Sequence, residues 1–148
     1  MKRAVIALDV GTHRIGVAVS DDHRRMALPL KTVDARSRRK AVSEIADLIE
    51  DYDAGEVVVG WPLEMTGVEG RAVDRVRDLE EALRAEWKQR RREQMAIHRW
   101  DERLTTKAAD RLLIDADMSR ARRKETIDQV AACKILDAFL AHQSGEGG

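Results

Sequence analysis

The chain has 148 residues, which is enough for one hydrophobic core but too few for two domains of ordinary size. Its 27 Lys and Arg are balanced by 27 Asp and Glu, so the net charge is zero and the protein as a whole is not a polycation. No apolar run reaches the roughly 18 residues of a membrane helix, and the N-terminus has no signal-peptide pattern, so we expect no membrane partner. A single cysteine, Cys133, excludes an internal disulfide and predicts a protein of the reducing cytoplasm.

Three predicted strands open the chain. Residues 3–9 and 15–20 are rich in apolar and β-branched residues and flank a turn that contains Gly11, which predicts a hairpin. Residues 28–33 predict a third strand, with Pro29 near its start or on a sheet edge. Together these segments predict a meander.

Helices and strands alternate in the rest of the chain. An amphipathic helix over about 37–52 precedes a short apolar run at 56–60, which is typical of a strand buried on both faces. The remaining predicted elements are a helix over about 68–89, a strand over 95–100, helices over about 105–116 and 122–142, and a disordered tail over 143–148.

This order predicts an α/β fold with a mixed five-stranded sheet, in which a three-strand meander is followed by strand–helix alternation and helices cover both faces. We assign residues 1–142 to a single domain. Sites in such sheets gather where strand ends converge at a switch in connectivity. Asp9 closes the first strand and Asp101 follows the fifth, so both carboxylates are candidates for a functional site.

Two aspartates lie in apolar surroundings. Asp9 ends an almost wholly apolar strand, where an ionised carboxylate is costly unless something pairs with it. On the last predicted helix, Asp128 falls inside the apolar stripe, about 20° from Ile135 in helical projection. We therefore expect Asp128 to point toward the sheet, and we expect its charge to lack a counter-ion until a metal binds.

Carboxylates gathered in one site raise each other's pKa unless a cation neutralises them. Hard oxygen ligands select Mg²⁺ or Mn²⁺ rather than zinc, and the four histidines have no zinc-like spacing. Carboxylates that hold such ions suit the hydrolysis of a phosphodiester, because one ion activates water and another stabilises the leaving oxygen. We therefore interpret Asp9, Asp101 and Asp128 as metal ligands.

The turn "DVGT" after the first strand has an alternative interpretation. An Asp-x-Gly-Thr turn holds nucleotide phosphate in sugar-kinase and actin-like ATPases. Those proteins are two-lobed and far longer than this chain, which also has no P-loop and no dinucleotide-binding glycine pattern. The sequence therefore favours a nuclease over an ATPase.

Four segments carry a family resemblance: "LDVGTHRIGVAVSD", "VVVGWPLEMTGVEG", "WDERLTT" and "DMSRARRKETIDQVAACKILDAFL". They resemble, in order and over residues 3–140, the signatures of the YqgF/RuvX family. The resemblance implies an RNase H-like fold and a nuclease that matures the 5′ end of the 16S rRNA precursor. It matches Asp9, Asp101 and Asp128 to the family's acidic residues, which become the candidate catalytic residues. Related Holliday-junction resolvases make branched DNA the alternative substrate.

The glycine-rich loop departs from the family pattern, which reads closer to "GLPLNMDG". Trp61, Glu64 and Thr66 replace Leu, Asn and Asp in this chain. Glu64 is thus either an additional metal ligand or a solvated loop residue. Glu102 is likewise either an additional ligand or the ion-pair partner of Arg103.

Basic residues form three runs, at 36–40, 88–92 and 120–124, which indicate either an anionic polymer as partner or solvated surface charge. Trp61 and Trp100 could stack on unpaired bases, although burial is the commoner fate of a tryptophan. The candidate nucleic-acid-binding residues are Arg14, Arg90, Arg91, Arg92, Arg103, Arg120, Arg122, Arg123 and Lys124.

The sequence therefore predicts a cytoplasmic nuclease that depends on Mg²⁺ or Mn²⁺. Its expected partner is RNA, namely the rRNA precursor, either free or on the preribosome. A non-catalytic rRNA-binding assembly factor is the alternative from another functional class. The sequence leaves a monomer and a homodimer equally open.

Overall fold

A mixed sheet with strand order β3-β2-β1-β4-β5 forms the centre of the computed structural model, which describes residues 3–64, 66–92, 95–102 and 120–147. The strands are β1 (Ala4–Val10), β2 (Arg14–Ser20), β3 (Ala27–Asp34), β4 (Ala54–Trp61) and β5 (Ala96–Asp101). The helices in the described ranges are α1 (Arg38–Asp51), α2 (Arg71–Gln89) and α3 (Arg120–Gly147).

The strand directions confirm the predicted meander and the alternation that follows it. β2 is antiparallel to both β1 and β3, and the Gly11 amide donates to the Arg14 carbonyl at 2.8 Å in the turn between β1 and β2. β4 and β5 run parallel to β1, each reached through a helix. β1 is therefore the strand at which the connectivity changes from antiparallel to parallel.

Helices α1 and α2 cover one face of the sheet. Alternate residues of the central strands point toward them and are fully buried, including Ile6 and Leu8 of β1 and Val57 and Val59 of β4. Ser37 caps α1 by accepting a hydrogen bond from the Lys40 amide at 3.5 Å. This larger cluster is the main hydrophobic core.

Helix α3 covers the opposite face. The intervening residues Val5, Ala7 and Val58 point toward it and are fully buried. The helix contributes the buried residues Ala132, Ile135, Leu136, Phe139 and Leu140 to this second cluster. Helices on both faces of the sheet confirm the predicted architecture. No described helix combines the length and the apolar character that crossing a membrane requires.

The last helix differs from its predicted bounds. It begins at Arg120 and ends at Gly147, whereas the sequence predicts a helix over about 122–142 and a disordered tail over 143–148. No proline interrupts residues 143–147, so each residue can extend the backbone hydrogen-bond ladder despite the poor helix propensity of glycine. The predicted helix over 105–116 lies outside the described residues.

Candidate active site

Asp9 is buried on the face of the sheet that α3 covers. Its side chain shares that face with Val5 and Ala7, and the residue is only 6% exposed. Its cross-strand partner on β2 is Gly16. Asp9 therefore points inward, as the sequence predicts. The residues beside it come from the neighbouring strands β2 and β4.

Gly16 lets α3 approach the sheet at Asp128. A β-carbon at Gly16 would overlap the Asp128 main-chain carbonyl and would lie 3.1 Å from the Asp128 α-carbon. The bare glycine is therefore the surface on which this part of α3 rests. Because Gly16 pairs with Asp9, the close approach places Asp128 one strand away from the buried carboxylate.

Gly60 provides a second close approach, on the other side of Asp9. Leu8 pairs with Val59, so the next position along these parallel strands places Asp9 beside Gly60. The Glu102 carboxylate covers Gly60, and the Ile135 side chain of α3 lies 2.8 Å from where a β-carbon would stand. Glu102 therefore lies on the face that also carries Asp9.

Strand alternation assigns Asp101 to the other face. Arg99, two residues earlier on β5, donates to the Glu80 carboxylate of α2 at 2.8 and 3.1 Å, so its side chain points toward α2. Asp101 has the same parity as Arg99. The geometry thus favours Glu102, which the sequence leaves as an alternative, over Asp101 as the third carboxylate beside Asp9 and Asp128.

Asp128 has a counter-ion in this structure, contrary to the expectation from the sequence. Arg14, the first residue of β2, donates from Nε to Asp128 Oδ2 at 3.0 Å. The Arg14 side chain is 41% exposed and that of Asp128 25% exposed. Arg14 and Gly16 lie two residues apart on the same face of β2. The close approach of α3 at Gly16 therefore also brings Asp128 within reach of Arg14.

A polar cavity of about 430 Å³ adjoins this ion pair. Its lining consists of His13, Arg14, Thr32, Asp34 and Arg36. The Gln129 side-chain amide of α3 donates to Thr32 Oγ1 at 3.0 Å, so the helix is also linked to β3 at this end. The site therefore has open space on its β2–β3 side.

The chemistry of the side chains suits a hard divalent cation, because Asp9, Glu102 and Asp128 offer only oxygen ligands and lie on one face of the sheet. Their arrangement is not that of an assembled metal centre. Within residues 3–64, 66–92, 95–102 and 120–147, no three His, Cys, Asp or Glu side chains are close enough to share an ion. Arg14 already occupies one carboxylate oxygen of Asp128, Oδ2.

Glu64 lies in the loop before α2. Its carboxylate oxygen is 2.9 Å from where a β-carbon of Gly70, the N-cap of α2, would stand. The loop is closed by the Gly67 amide, which donates to the Glu64 carbonyl at 2.7 Å with Gly67 at φ 86°. An exposed carboxylate near a helix N-terminus is stabilised by the helix dipole, which favours the solvated-loop interpretation of Glu64.

The two tryptophans near the site are packing residues. Trp61 is 7% exposed, and the guanidinium groups of Arg99 and Arg77 lie 4.0 and 5.4 Å from its ring centroid. Trp100 packs edge-on against Phe139 at a centroid distance of 6.5 Å. Stacking on a nucleic-acid base, which the sequence left open, would require these rings to leave their present contacts.

Arg90 is part of an ion-pair network, which speaks against its predicted role in nucleic-acid binding. Its guanidinium lies 2.7 Å from Glu86, 2.9 Å from Asp47 and 3.4 Å from Glu50, and it links α2 to α1. Hydrogen bonds to Glu86 and Asp47 hold the pKa of Arg90 above its ordinary value. Glu50 also lies 3.6 Å from Arg92.

The remaining predicted basic contacts differ in what the structure shows of them. Arg91 is exposed in the turn after α2, with φ 61°. Arg103 and the side chains of Arg120, Arg122, Arg123 and Lys124 lie outside the part of the chain that the structure describes. Arg14 was among the predicted contacts, but nothing in the sequence indicated its bond to Asp128, 114 residues away.

Comparison with known proteins gives concordant matches. A family model described as "RuvX: Holliday junction resolvase" matches residues 3–142. A protein of Bacillus thuringiensis (strain Al Hakam) named "Putative pre-16S rRNA nuclease" is 40% identical over 138 residues, which cover 92% of this chain and 96% of that protein.

Two solved structures share the fold. RuvC of T. thermophilus in complex with a Holliday junction substrate matches with a TM-score of 0.59 at 13% identity and covers 96% of each chain. The yeast mitochondrial Holliday junction resolvase Ydc2 matches with a TM-score of 0.54 at 10% identity and covers 97% of this chain and 79% of that one. At these identities the likeness establishes the RNase H-like architecture alone.

Proposed function

The chain belongs to the RuvX family, and on that premise we propose that it is a nuclease that matures the 5′ end of the 16S rRNA precursor during ribosome biogenesis. The observation that carries this proposal is that Asp9, Glu102 and Asp128 lie on one sheet face, next to the close approaches at Gly16 and Gly60. Acidic residues on one face of a sheet suit phosphodiester hydrolysis once a cation draws them together.

We propose that Asp9, Glu102 and Asp128 hold Mg²⁺ or Mn²⁺, because hard carboxylate oxygens suit these ions. A bound ion would activate the attacking water and stabilise the leaving oxygen. Asp9 can orient such a ligand set because its burial between β2 and β4 limits its motion. Asp101 is a weaker candidate because strand alternation turns it toward α2, and Glu64 is weaker because its exposed carboxylate lies beside the N-cap of α2.

RNA contacts are proposed at the rim of this face. Arg14 stands beside Asp128 and the 430 Å³ cavity, where a phosphate could approach the carboxylates. Arg91 is exposed and its charge is available to solvent. Arg92, Arg103 and the basic run at 120–124 remain proposed contacts on the strength of their charge.

Branched DNA is the second candidate substrate, because the matching family model is described as a Holliday junction resolvase. An acidic nuclease site hydrolyses RNA and DNA phosphodiesters by the same chemistry, so the carboxylates do not discriminate between them. The curated relative's name favours the rRNA precursor. We place the protein in the cytoplasm, with residues 1–142 as one domain.

The test is to incubate the purified protein with a 16S rRNA precursor, with and without Mn²⁺, and to map the RNA ends. A second arm uses a four-way DNA junction under the same conditions. Asp9→Asn is the inactive variant, and Asp22→Asn, at an exposed position in the β2–β3 turn, is the matched control. Mn²⁺-dependent 5′-end formation by the parent and by Asp22→Asn, but not by Asp9→Asn, supports the proposal.

Two other outcomes contradict it. Cleavage of the junction without cleavage of the RNA would make the protein a DNA resolvase. Tight RNA binding without cleavage of either substrate would make it a non-catalytic assembly factor.

A further inference from the structure

We propose that Arg14 and a divalent cation compete for Asp128, so that cation binding releases the Arg14 guanidinium to a substrate phosphate in the adjacent cavity. Metal and nucleic acid would then bind cooperatively, with Arg14 as the coupling residue. The inference rests on the proposed function for the location of the cation and for the class of substrate. Its basis in the structure is the Arg14–Asp128 ion pair.

Asp128 is the fixed member of this pair. Its main chain packs against the bare α-carbon of Gly16, and α3 continues from there into buried contacts at Ala131 and Ala132. The aspartate therefore cannot retreat from the sheet without moving the helix. Arg14 has a long side chain that is 41% exposed, so it can exchange partners by rotating its own bonds.

The adjacent cavity can accommodate the Arg14 guanidinium once it leaves Asp128. Arg14 Nε bonds to Asp128, whereas its two terminal amino groups make no hydrogen bond within the described ranges. The guanidinium carries five donors in a planar fork that matches phosphate geometry. It lines the 430 Å³ space together with His13 and Thr32, so a phosphate entering there would meet unused donors.

The other carboxylate in the cavity is already neutralised. Asp34 is the cross-strand neighbour of Arg14, but it accepts hydrogen bonds from the Arg36 guanidinium at 2.6 and 3.0 Å. These bonds hold the pKa of Asp34 well below its ordinary value. A released Arg14 therefore finds no unneutralised acid at Asp34, and a phosphate is the better partner.

We expect a divalent cation to displace Arg14 from Asp128. Ion pairs at this exposure contribute little to stability, because water screens them and ordering the side chains costs entropy. A divalent ion shared by several carboxylates interacts more strongly with Asp128 than one half-exposed guanidinium does. Because binding linkage is reciprocal, a cation that frees Arg14 for phosphate must itself bind more tightly when phosphate is present.

The test measures both affinities separately. Titration calorimetry gives the Mn²⁺ affinity of the metal-free protein, and fluorescence anisotropy gives the affinity for a labelled single-stranded oligoribonucleotide with Mn²⁺ or with chelator. Gel electrophoresis after each titration shows that the oligonucleotide is intact. The variants are Arg14→Gln, which removes the charge, and Arg14→Lys, which keeps it. Arg39→Gln is the control, since Arg39 is an exposed arginine of α1 outside this cavity and its loss removes the same charge.

The parent is expected to bind RNA about fivefold more tightly with Mn²⁺ than without it, a typical coupling between two sites. Arg14→Gln should bind Mn²⁺ more tightly than the parent by a similar factor and should lose the Mn²⁺ effect on RNA affinity. Arg14→Lys should keep an Mn²⁺ affinity near that of the parent, because its ammonium can still compete for Asp128. Arg39→Gln should retain the coupling and so exclude a general effect of removing positive charge.

An unchanged or weaker Mn²⁺ affinity in Arg14→Gln overturns the exchange, and so does a parent whose RNA affinity ignores Mn²⁺. These results are distinguishable from failure of the nuclease proposal. A parent that couples Mn²⁺ to RNA but cleaves neither RNA nor DNA keeps the exchange and loses the nuclease. A parent that cleaves RNA while Arg14→Gln binds Mn²⁺ with parental affinity keeps the nuclease and loses the exchange.

Discussion

The main chain of Asp128 in α3 rests on the bare α-carbon of Gly16 in β2. Gly16 is in turn the cross-strand partner of Asp9, so one glycine decides how closely the two carboxylates approach each other. Any side chain at this position would push the helix away from the sheet. The acidic site therefore depends on a residue that carries no functional group.

Replacing Gly16 with Ala should destabilise the protein and disable the site. The added methyl group meets backbone atoms of α3, which cannot move aside as a flexible side chain can, so we expect a loss of at least about 2 kcal/mol. Displacement of Asp128 should lower kcat/KM by about a hundredfold. Urea denaturation and RNA cleavage assays measure the two effects.

Gly55→Ala is the matched control for this substitution. The three atoms nearest to its β-carbon would all belong to the Arg3 side chain, from 3.1 Å, and that side chain is 41% exposed. We expect a cost below about 1 kcal/mol. Equal stability losses in the two variants would show that the contact at Gly16 is not special.

Glu102→Gln should reduce cleavage far more than Asp101→Asn. The Glu102 carboxylate lies over Gly60 on the face of Asp9, whereas strand alternation turns Asp101 toward α2. We expect Glu102→Gln to lose at least about a hundredfold in kcat/KM, and Asp101→Asn to stay within about tenfold of the parent. Steady-state kinetics on the rRNA precursor would rank the two variants, and the reverse ranking would make Asp101 the ligand.

Mn²⁺ should raise the melting temperature of the parent protein. An ion that binds only the folded state stabilises it by about 2.7 kcal/mol at a concentration of one hundred times the Kd. Asp9→Asn should lose this effect, and Asp22→Asn should keep it, because Asp22 is an exposed turn residue far along β2 from Asp9. A parent melting curve that does not move at millimolar Mn²⁺ argues against the metal site.

Arg90→Gln should affect stability rather than RNA binding. Its guanidinium joins α2 to Asp47 and Glu50 of α1, so its loss should cost about 1 kcal/mol in urea denaturation. The salt dependence of RNA affinity should not change. Arg91→Gln is the comparison: if this exposed arginine touches a single-strand phosphate, the slope falls by about 0.7. A lower slope in Arg90→Gln would restore its predicted role.

The free energy of unfolding should fall at acidic pH, because Glu56 becomes protonated. Burial opposes its ionisation, but the hydrogen bond to His98 at 2.9 Å and the charge of Arg24 at 2.7 Å outweigh it and lower the pKa of Glu56 below its ordinary 4.5. A lowered folded-state pKa contributes stability that is full above the unfolded value and is lost as the pH falls through the folded value. Urea denaturation as a function of pH measures this loss.

The matched variant for this test is Glu56→Gln. It should be less stable than the parent at neutral pH, and the difference should shrink as the pH is lowered below about 4.5. A constant difference across that range would show that ionisation of Glu56 does not contribute.

The periodic features of the fold could be read from the sequence. Alternating and continuous apolar runs predict the strands, and the stripe that contains Asp128 and Ile135 predicts the inner face of the last helix. These patterns are local, since each depends on neighbours within a few turns or a few strand residues. For the same reason the sequence placed Asp9 and Asp128 on buried or inward faces without showing what lies between them.

Only the tertiary structure decided which charged groups meet. The Arg14–Asp128 pair joins residues 114 positions apart, and the network at Arg90 joins α2 to α1. Contacts between distant segments produce no periodic pattern in the sequence, so neither could be predicted from it. The sequence places Asp101 and Glu102 side by side at the end of β5 and does not show which of them faces α3. The contact of Arg99 with Glu80 of α2 decides this, because neighbouring residues of a strand point to opposite faces of the sheet.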